Sequence, residues 1–129
     1  MDDSKKKVLV VEDDEAMRNI LVGRLGAFDY QILEAGDGQE AINLILEQTP
    51  NLILLDLLLP KLDGFQVLER IRHYPEARIA ETKVIVLSNL WSNKDILRAQ
   101  ALKVDEYYVK ANTNLDEVLA RVEKLLSAT

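Results

Sequence analysis

Cysteine is absent from this chain of 129 residues. Without it the protein forms no disulfide bond and performs no thiolate chemistry, so an oxidising compartment is not indicated and a cytoplasmic location is expected. The longest apolar stretch, residues 52–59, is interrupted by Asp56 and is far shorter than the ~20 residues that span a bilayer. The first residues lack the apolar core of a signal peptide. We therefore expect no membrane association.

Phosphate-binding loops are missing as well. The chain has neither the glycine-rich loop that ends in Gly-Lys-Ser/Thr nor the Gly-x-Gly-x-x-Gly fingerprint, so side chains and a metal would have to hold any phosphate. A net charge of −6 argues against direct contact with nucleic acid. The only histidine, His73, lies near the end of a predicted helix and is expected to be a surface residue. The length fits a single domain over residues 1–129.

Strand and helix signals alternate five times along the chain. Short apolar runs predict strands at residues 8–11, 30–33, 52–55, 84–87 and 106–109, and apolar residues at helical spacing follow each run. Asp37 with Glu40, and Ser92 with Asp95, resemble capping boxes at two helix starts. Residues 73–83 are expected to be an ordinary helix-to-strand connection. Right-handed crossovers then give a flavodoxin-like (βα)5 fold, a three-layer α/β sandwich with sheet order 2-1-3-4-5.

Charged residues follow three of these strands directly. Glu12 and Asp13 follow the first strand, Asp56 the third and Lys110 the fifth. Ligands bind beyond the carboxyl ends of strands in such sheets, so these side chains should share one crevice, with Ser88 after strand 4 approaching from the side. Carboxylates without histidine or cysteine suit Mg²⁺ better than zinc.

A simpler interpretation is that the acidic residues 12–14 form a solvated turn that caps the first helix, and that Lys110 is a solvated strand end. Asp56 argues against it, because an unpaired carboxylate within an apolar run is costly and tends to find a partner.

Four motifs resemble those of the receiver domain of two-component response regulators, especially the single-domain, chemotaxis-regulator type. They are Val-Val-Glu-Asp-Asp at residues 10–14, Leu-Asp-Leu-Leu-Leu-Pro-Lys-Leu-Asp-Gly at 55–64, Val-Leu-Ser-Asn at 86–89 and Tyr-Tyr-Val-Lys at 107–110. The resemblance covers residues 7–126 in the family's order and spacing. Each motif is weak alone, but unrelated α/β proteins rarely combine all four.

The resemblance implies a site and a reaction. Asp56 matches the phosphoacceptor, and Glu12 and Asp13 match the acidic pair that binds Mg²⁺ together with Asp56 and the backbone carbonyl of Leu58. Asp56 would take a phosphoryl group from a sensor histidine kinase or a phosphotransfer protein. The domain would then be no conventional enzyme, although it would catalyse transfer to and hydrolysis from its own aspartate.

The resemblance also implies a switch. Lys110 matches the lysine that contacts the phosphoryl group, Ser88 the switch hydroxyl and Tyr107 the switch aromatic. Phosphorylation would draw Ser88 inward, let Tyr107 rotate and alter the face formed by helix 4, strand 5 and helix 5, where a downstream protein target would bind. Trp91 would lie near that face.

Two departures from the family pattern stand out. Ala111 follows Lys110 where the family usually has a proline preceded by a cis peptide, and Leu58 is apolar where polar residues are common. Asp63 with Gly64 is expected to form the turn and cap of helix 3 rather than a ligand.

Two other function classes fit part of the pattern. A haloacid-dehalogenase-like phosphatase needs a second aspartate two residues after the nucleophile, and Leu58 occupies that position. A pseudo-receiver that binds partners without phosphorylation would not need the complete set of Asp13, Asp56 and Lys110.

Overall fold

The computed structural model describes residues 5–127, in which five strands alternate with helices. The strands are β1 (Lys6–Val11), β2 (Tyr30–Ala35), β3 (Leu52–Leu55), β4 (Lys83–Ser88) and β5 (Glu106–Val109). The helices are α1 (Glu15–Leu25), α2 (Gly38–Gln48), α3 (Gly64–Arg72), α4 (Ala77–Ala80), α5 (Asn93–Ala101) and α6 (Leu115–Ser127). All neighbouring strands are parallel and the order is β2-β1-β3-β4-β5, so the predicted α/β fold and strand order are confirmed.

Both faces of the sheet are buried, which explains why β3 is apolar at every position and why β1 and β4 are apolar along most of their length. Alternate residues of a strand point to opposite faces, so Leu9 and Val11 pack with α2, α3 and α5, whereas Val8 and Val10 pack with α1 and α6. All four side chains are at most 1 % exposed. Two cores therefore enclose the sheet and leave its carboxyl edge as the place for polar residues.

The predicted N-caps are present at α2 and α5. Asp37 accepts a hydrogen bond from the amide of Glu40 at 2.8 Å, and Ser92 accepts one from the amide of Asp95 at 3.2 Å. The Glu40 carboxylate reaches the amide of Gly36 rather than that of Asp37, so the reciprocal bond of a capping box is not made there. These caps fix where each helix starts.

Asp63 and Gly64 form the start of α3, as expected. Asp63 and Gln66 make both bonds of a capping box. A side chain at Gly64 is impossible, since a Cβ there would lie 2.6 Å from the carbonyl oxygen of Asp56. The glycine thus lets the start of α3 press against the backbone at the end of β3.

The connection over residues 73–83 differs from the expectation, because it contains the short helix α4. Ile79 in α4 is 2 % exposed and packs into the core, which requires this segment to fold inward. Arg72 at the end of α3 fastens it by donating to the carbonyls of Ala80 and Thr82 at 2.9 and 2.8 Å. The additional helix means that the predicted helices 4 and 5 are α5 and α6.

After β5, residues Lys110–Asn112 form a single 3-10 turn. Every peptide bond between described residues is trans, including the one before Ala111. Among residues 5–127, no helix is both long and apolar enough to cross a membrane.

Candidate functional site

Strand register brings the predicted site residues together. Val11 pairs with Leu55 in the β1–β3 ladder, so Glu12 and Asp56 leave neighbouring strands at the same level. The amide of Asp56 donates to the carbonyl of Val11 at 3.0 Å, which extends the pairing by one residue. Ser88 pairs with Val109 in the β4–β5 ladder, and the residue after Val109 is Lys110. These residues meet at the carboxyl edge of the sheet.

Asp56 lies at the centre of the site and is 5 % exposed. Its Oδ1 accepts hydrogen bonds from the hydroxyl of Ser88 at 2.7 Å and from the amide of Leu58 at 3.1 Å. Its Oδ2 accepts one from Nζ of Lys110 at 2.8 Å. A buried carboxylate costs free energy unless it is hydrogen-bonded and paired, and here both oxygens are satisfied.

Lys110 also contacts Glu12, the other buried carboxylate of the crevice. Its Nζ lies 2.5 Å from Oε1 of Glu12, whose Oε2 accepts a hydrogen bond from the amide of Asp14 at 3.1 Å. Burial raises the pKa of Glu12, and the bond from Lys110 opposes this rise. Burial acts to lower the pKa of Lys110, but its bonds to Asp56 and Glu12 outweigh burial and raise the pKa. One ammonium group thus joins two buried carboxylates.

Asp13 completes an acidic cluster. Carboxylate oxygens of Glu12, Asp13 and Asp56 lie within 4.8 Å of one another, with Asp13 exposed and the other two buried. Three carboxylates and a single lysine leave an excess of negative charge at the mouth of the site. A set of oxygen donors at this spacing suits a hard divalent cation. The residues predicted to bind a metal are therefore together, and Leu58 lies beside them with its side chain 52 % exposed.

Ser88 and Tyr107 lie on the neighbouring strands β4 and β5, and both of these strands are on the opposite side of β3 from β1. Ser88 is completely buried, and its hydroxyl donates a hydrogen bond to Oδ1 of Asp56. The hydroxyl of Tyr107 donates to the carbonyl of Leu90 at 2.6 Å. Burial, with the charges of Asp95 and Asp56 adding to it, raises the pKa of Tyr107 to about 12. Tyr107 therefore stays a neutral donor at ordinary pH.

Arg18 is a residue near the site that sequence reasoning missed. It lies on α1, and its Nη1 donates to the backbone carbonyl of Glu12 at 2.7 Å while its Nε lies 3.3 Å from Oε1 of Glu34. The sequence held no signal that singled it out. Arg24 is a similar cation on the same helix, and it pairs with Asp116, away from the cluster.

Comparison with known proteins agrees with this geometry. The profile described as "Response regulator receiver domain" matches residues 8–123. The "Probable transcriptional regulator ycf27" of Cyanophora paradoxa is 36 % identical over 129 residues, which cover 100 % of this chain and 52 % of the relative. The "DNA-binding dual master transcriptional regulator RpaA" of Synechocystis sp. is 34 % identical over 123 residues, covering 95 % of this chain and 50 % of that protein. The chain thus spans about half the length of the curated relatives it matches.

Solved structures show the same fold. The Mn²⁺-bound form of response regulator Rcp1 is 30 % identical, has a TM-score of 0.78, and is matched over 95 % of this chain and 93 % of its own. The expectation that the chain avoids nucleic acid has no support here, because the relatives carry the names of transcriptional regulators and one is named as DNA-binding. Net charge is a property of a whole chain and does not exclude a local or indirect contact. By its fold, its carboxyl-edge residues and the profile match over most of its length, the chain belongs to the receiver domain family of response regulators.

Proposed function

We propose that Asp56 is the phosphoacceptor of a signalling switch and that Mg²⁺ assists the transfer. One observation carries this proposal: a single buried carboxylate receives donors from Lys110, Ser88 and the Leu58 amide at the open edge of the sheet. Such donors satisfy Asp56 in the resting state. They can equally bind the oxygens of a phosphoryl group attached to it.

The reaction is nucleophilic substitution at phosphorus. An oxygen of Asp56 attacks the phosphorus of a phosphohistidine, an oxygen–phosphorus bond forms, and the phosphorus–nitrogen bond breaks as the imidazole leaves with its electron pair. The donor would be a sensor histidine kinase or a phosphotransfer protein. Catalysis of such transfers consists mainly of positioning and of charge stabilisation, which this site offers through fixed donors rather than through a separate base.

The acidic cluster is suited to the metal. Glu12, Asp13 and Asp56 offer carboxylate oxygens, and the carbonyl of Leu58 is the proposed backbone ligand. Magnesium prefers a few carboxylates together with phosphate oxygens and water, and it would neutralise charge on the transferred group. Because the cluster holds three carboxylates and one lysine, its excess negative charge favours a bound cation before a further anion is added.

Lys110 and Ser88 would both contact the phosphoryl group on Asp56. Lys110 contacts Asp56 and Glu12 together, so it remains anchored to Glu12 when its other partner becomes an acyl phosphate. Ser88 would transfer its hydrogen bond from Asp56 to a phosphoryl oxygen. Because the hydroxyl is already in contact, we expect a small local change at Ser88, with Tyr107 and the Leu90 carbonyl conveying it toward α5.

The face formed by α5, β5 and α6 is the proposed partner surface. Trp91 and Leu97, beside and on α5, are 74 % and 64 % exposed, more than any other large apolar side chain within residues 5–127. Aromatic side chains of this kind often anchor protein interfaces. We infer that a cytoplasmic protein target binds there.

The switch is tested with beryllofluoride, which together with Mg²⁺ should move the amide resonances between Ser88 and Lys110. Unchanged resonances in that segment would contradict the switch.

Phosphorylation itself is tested with acetyl phosphate and intact-mass measurement. The wild type should gain one phosphoryl group in Mg²⁺ and not in chelator, whereas Asp56→Asn should gain none. Asp63→Asn is the matched control, because asparagine still caps α3 and Asp63 lies outside the cluster. Equal modification of wild type and Asp56→Asn would overturn the proposal.

A phosphatase of the haloacid dehalogenase kind is disfavoured. Such an enzyme requires an acid two residues after the nucleophile, and Leu58 offers no proton there. Hydrolysis of the chain's own aspartyl phosphate is part of the proposed cycle and would end the signal. A binding module that works without phosphorylation would leave the paired Asp56 and Lys110 without a use.

A further inference from the structure

The peptide that follows Glu12 is held by a residue outside the acidic cluster. The amide of Glu12 donates to the carbonyl of Ala35 at 3.0 Å, and its carbonyl accepts from Nη1 of Arg18 at 2.7 Å. A peptide unit is planar, so the direction of the Glu12 carbonyl also sets the direction of the Asp13 amide and the path of the chain into Asp13. The hydrogen bond from Arg18 therefore helps to set the backbone position and direction at Asp13.

Asp13 needs this control because little else holds it. Within residues 5–127 its carboxylate accepts no hydrogen bond, although one of its oxygens lies within 4.8 Å of oxygens of both Glu12 and Asp56. Like charges at that distance repel, and an exposed side chain can relieve the repulsion by turning toward solvent. The position of the Asp13 carboxylate in the cluster therefore depends on how the backbone between Glu12 and Asp13 is held.

Arg18 is itself fixed in position. Its side chain is only 20 % exposed, and its Nε pairs with Glu34 near the end of β2 at 3.3 Å. The guanidinium thus links β2 to the β1–α1 loop through one carboxylate and one carbonyl. It donates to the backbone of the loop rather than to the metal-binding carboxylates, which distinguishes support of the loop from simple charge attraction.

We infer that Arg18 is a positioning residue for divalent metal binding, holding the Glu12 carbonyl so that Asp13 faces Glu12 and Asp56. This inference rests on the proposed metal-dependent function. Positioning by Arg18 and electrostatics alone predict opposite changes in metal affinity when the Arg18 side chain is replaced. A cation near a metal site repels the metal, so mere removal of the Arg18 charge would strengthen metal binding. Loss of the positioning bond would instead weaken metal binding.

The test is a Mg²⁺ titration followed by amide resonances, which report folded molecules only. Arg18→Met should raise the half-saturating Mg²⁺ concentration about tenfold, the scale on which residues behind metal ligands act. Arg18→Lys keeps one donor and should recover most of the affinity. Arg24→Met removes the same charge from the same helix but breaks only the pair with Asp116, and it should bind as the wild type does.

A second readout separates metal affinity from the transfer step. With acetyl phosphate, Arg18→Met should need more Mg²⁺ for half-maximal phosphorylation, while the rate at saturating Mg²⁺ stays within about twofold of the wild type. Arg18→Leu, a shorter side chain that also lacks a hydrogen-bond donor, is measured alongside and should also weaken Mg²⁺ binding, so the sign can be read even where Arg18→Met folds poorly.

The outcomes distinguish the inference from the proposed function. Unchanged or stronger Mg²⁺ binding in Arg18→Met and Arg18→Leu overturns the positioning role, as does an equal loss in Arg24→Met. Wild-type protein that binds no Mg²⁺, or binds it equally after Asp13→Asn, overturns the metal site itself. Normal binding by wild type, loss in Asp13→Asn and no loss in Arg18→Met would reject the inference alone.

Discussion

Replacing Asp13 by asparagine should stabilise the metal-free protein. Asp13 has an oxygen within 4.8 Å of oxygens of Glu12 and Asp56. Two unit charges at that separation repel by about 1 kcal/mol in water and by about 3 kcal/mol at an effective dielectric constant of 20. Asp13 is exposed, so the lower figure applies to each neighbour, and attraction to Lys110 cancels part of the sum. We expect the free energy of unfolding to rise by about 1 kcal/mol.

Magnesium should reverse this order of stability. A ligand that binds only the folded state adds about 2.7 kcal/mol when present at about 100 times its Kd. The wild type should gain this amount, whereas Asp13→Asn has lost an anionic ligand and should gain little. The variant is then the more stable protein in chelator and the less stable one in Mg²⁺. Both effects come from the same clustered charge.

The assay is urea unfolding followed by far-ultraviolet circular dichroism, in chelator and in saturating Mg²⁺. Asp14→Asn is the matched control, because it removes a charge one residue away while asparagine can still cap α1 through the Met17 amide. The control should respond to Mg²⁺ as the wild type does. A metal-free Asp13→Asn that is less stable than the wild type, or an equal gain from Mg²⁺ in both, would refute the reasoning.

Three further predictions concern single side chains. Leu58 cannot orient water beside the phosphoryl group, so dephosphorylation followed over time should be faster in Leu58→Asn and Leu58→Glu, and unchanged or slower loss in both would count against this. The amide of Glu40 lowers the pKa of Asp37 below 3.8, so its contribution to stability is present above that pH and lost below it; Asp37→Asn should show a flatter acid dependence in urea midpoints, and an equally steep one would contradict the cap. Burial raises the pKa of Tyr107 from 10.0 to about 12, so stability should fall between those pH values in wild type and fall less in Tyr107→Phe.

The fold was predictable because each strand contains a short run that is mostly apolar, and because Glu12, Asp56 and Lys110 directly follow three of these runs. Leu52–Leu55 is buried at every position, so both faces had to be covered, and that requirement selects a parallel sheet with helices on either side. The strand order then placed Asp56 beside Glu12 without any knowledge of side-chain geometry. The proximity of Asp56 and Glu12 therefore follows from the sheet topology.

The remaining features depend on long side chains, whose reach the sequence does not encode. Lys110 was predicted to approach the three carboxylates as their counter-charge, but which of their oxygens it contacts depends on the conformation of its long side chain. Arg18 and Arg24 share a helix and a charge, yet one supports the acidic loop and the other binds Asp116 at the surface. Helix α4 was missed because four residues hold too few apolar positions to display a helical period.

Charge balance would link metal binding to phosphorylation at the proposed site. Glu12, Asp13 and Asp56 face a single lysine, so the resting cluster already has more negative than positive charge. A phosphoryl group on Asp56 adds further negative charge and new oxygen ligands at the same place. The phosphorylated form should therefore bind Mg²⁺ more tightly than the resting form. Because coupling between two binding events is reciprocal, Mg²⁺ would then favour phosphorylation by the same factor, so the cation would act on the equilibrium as well as on the rate of the proposed transfer.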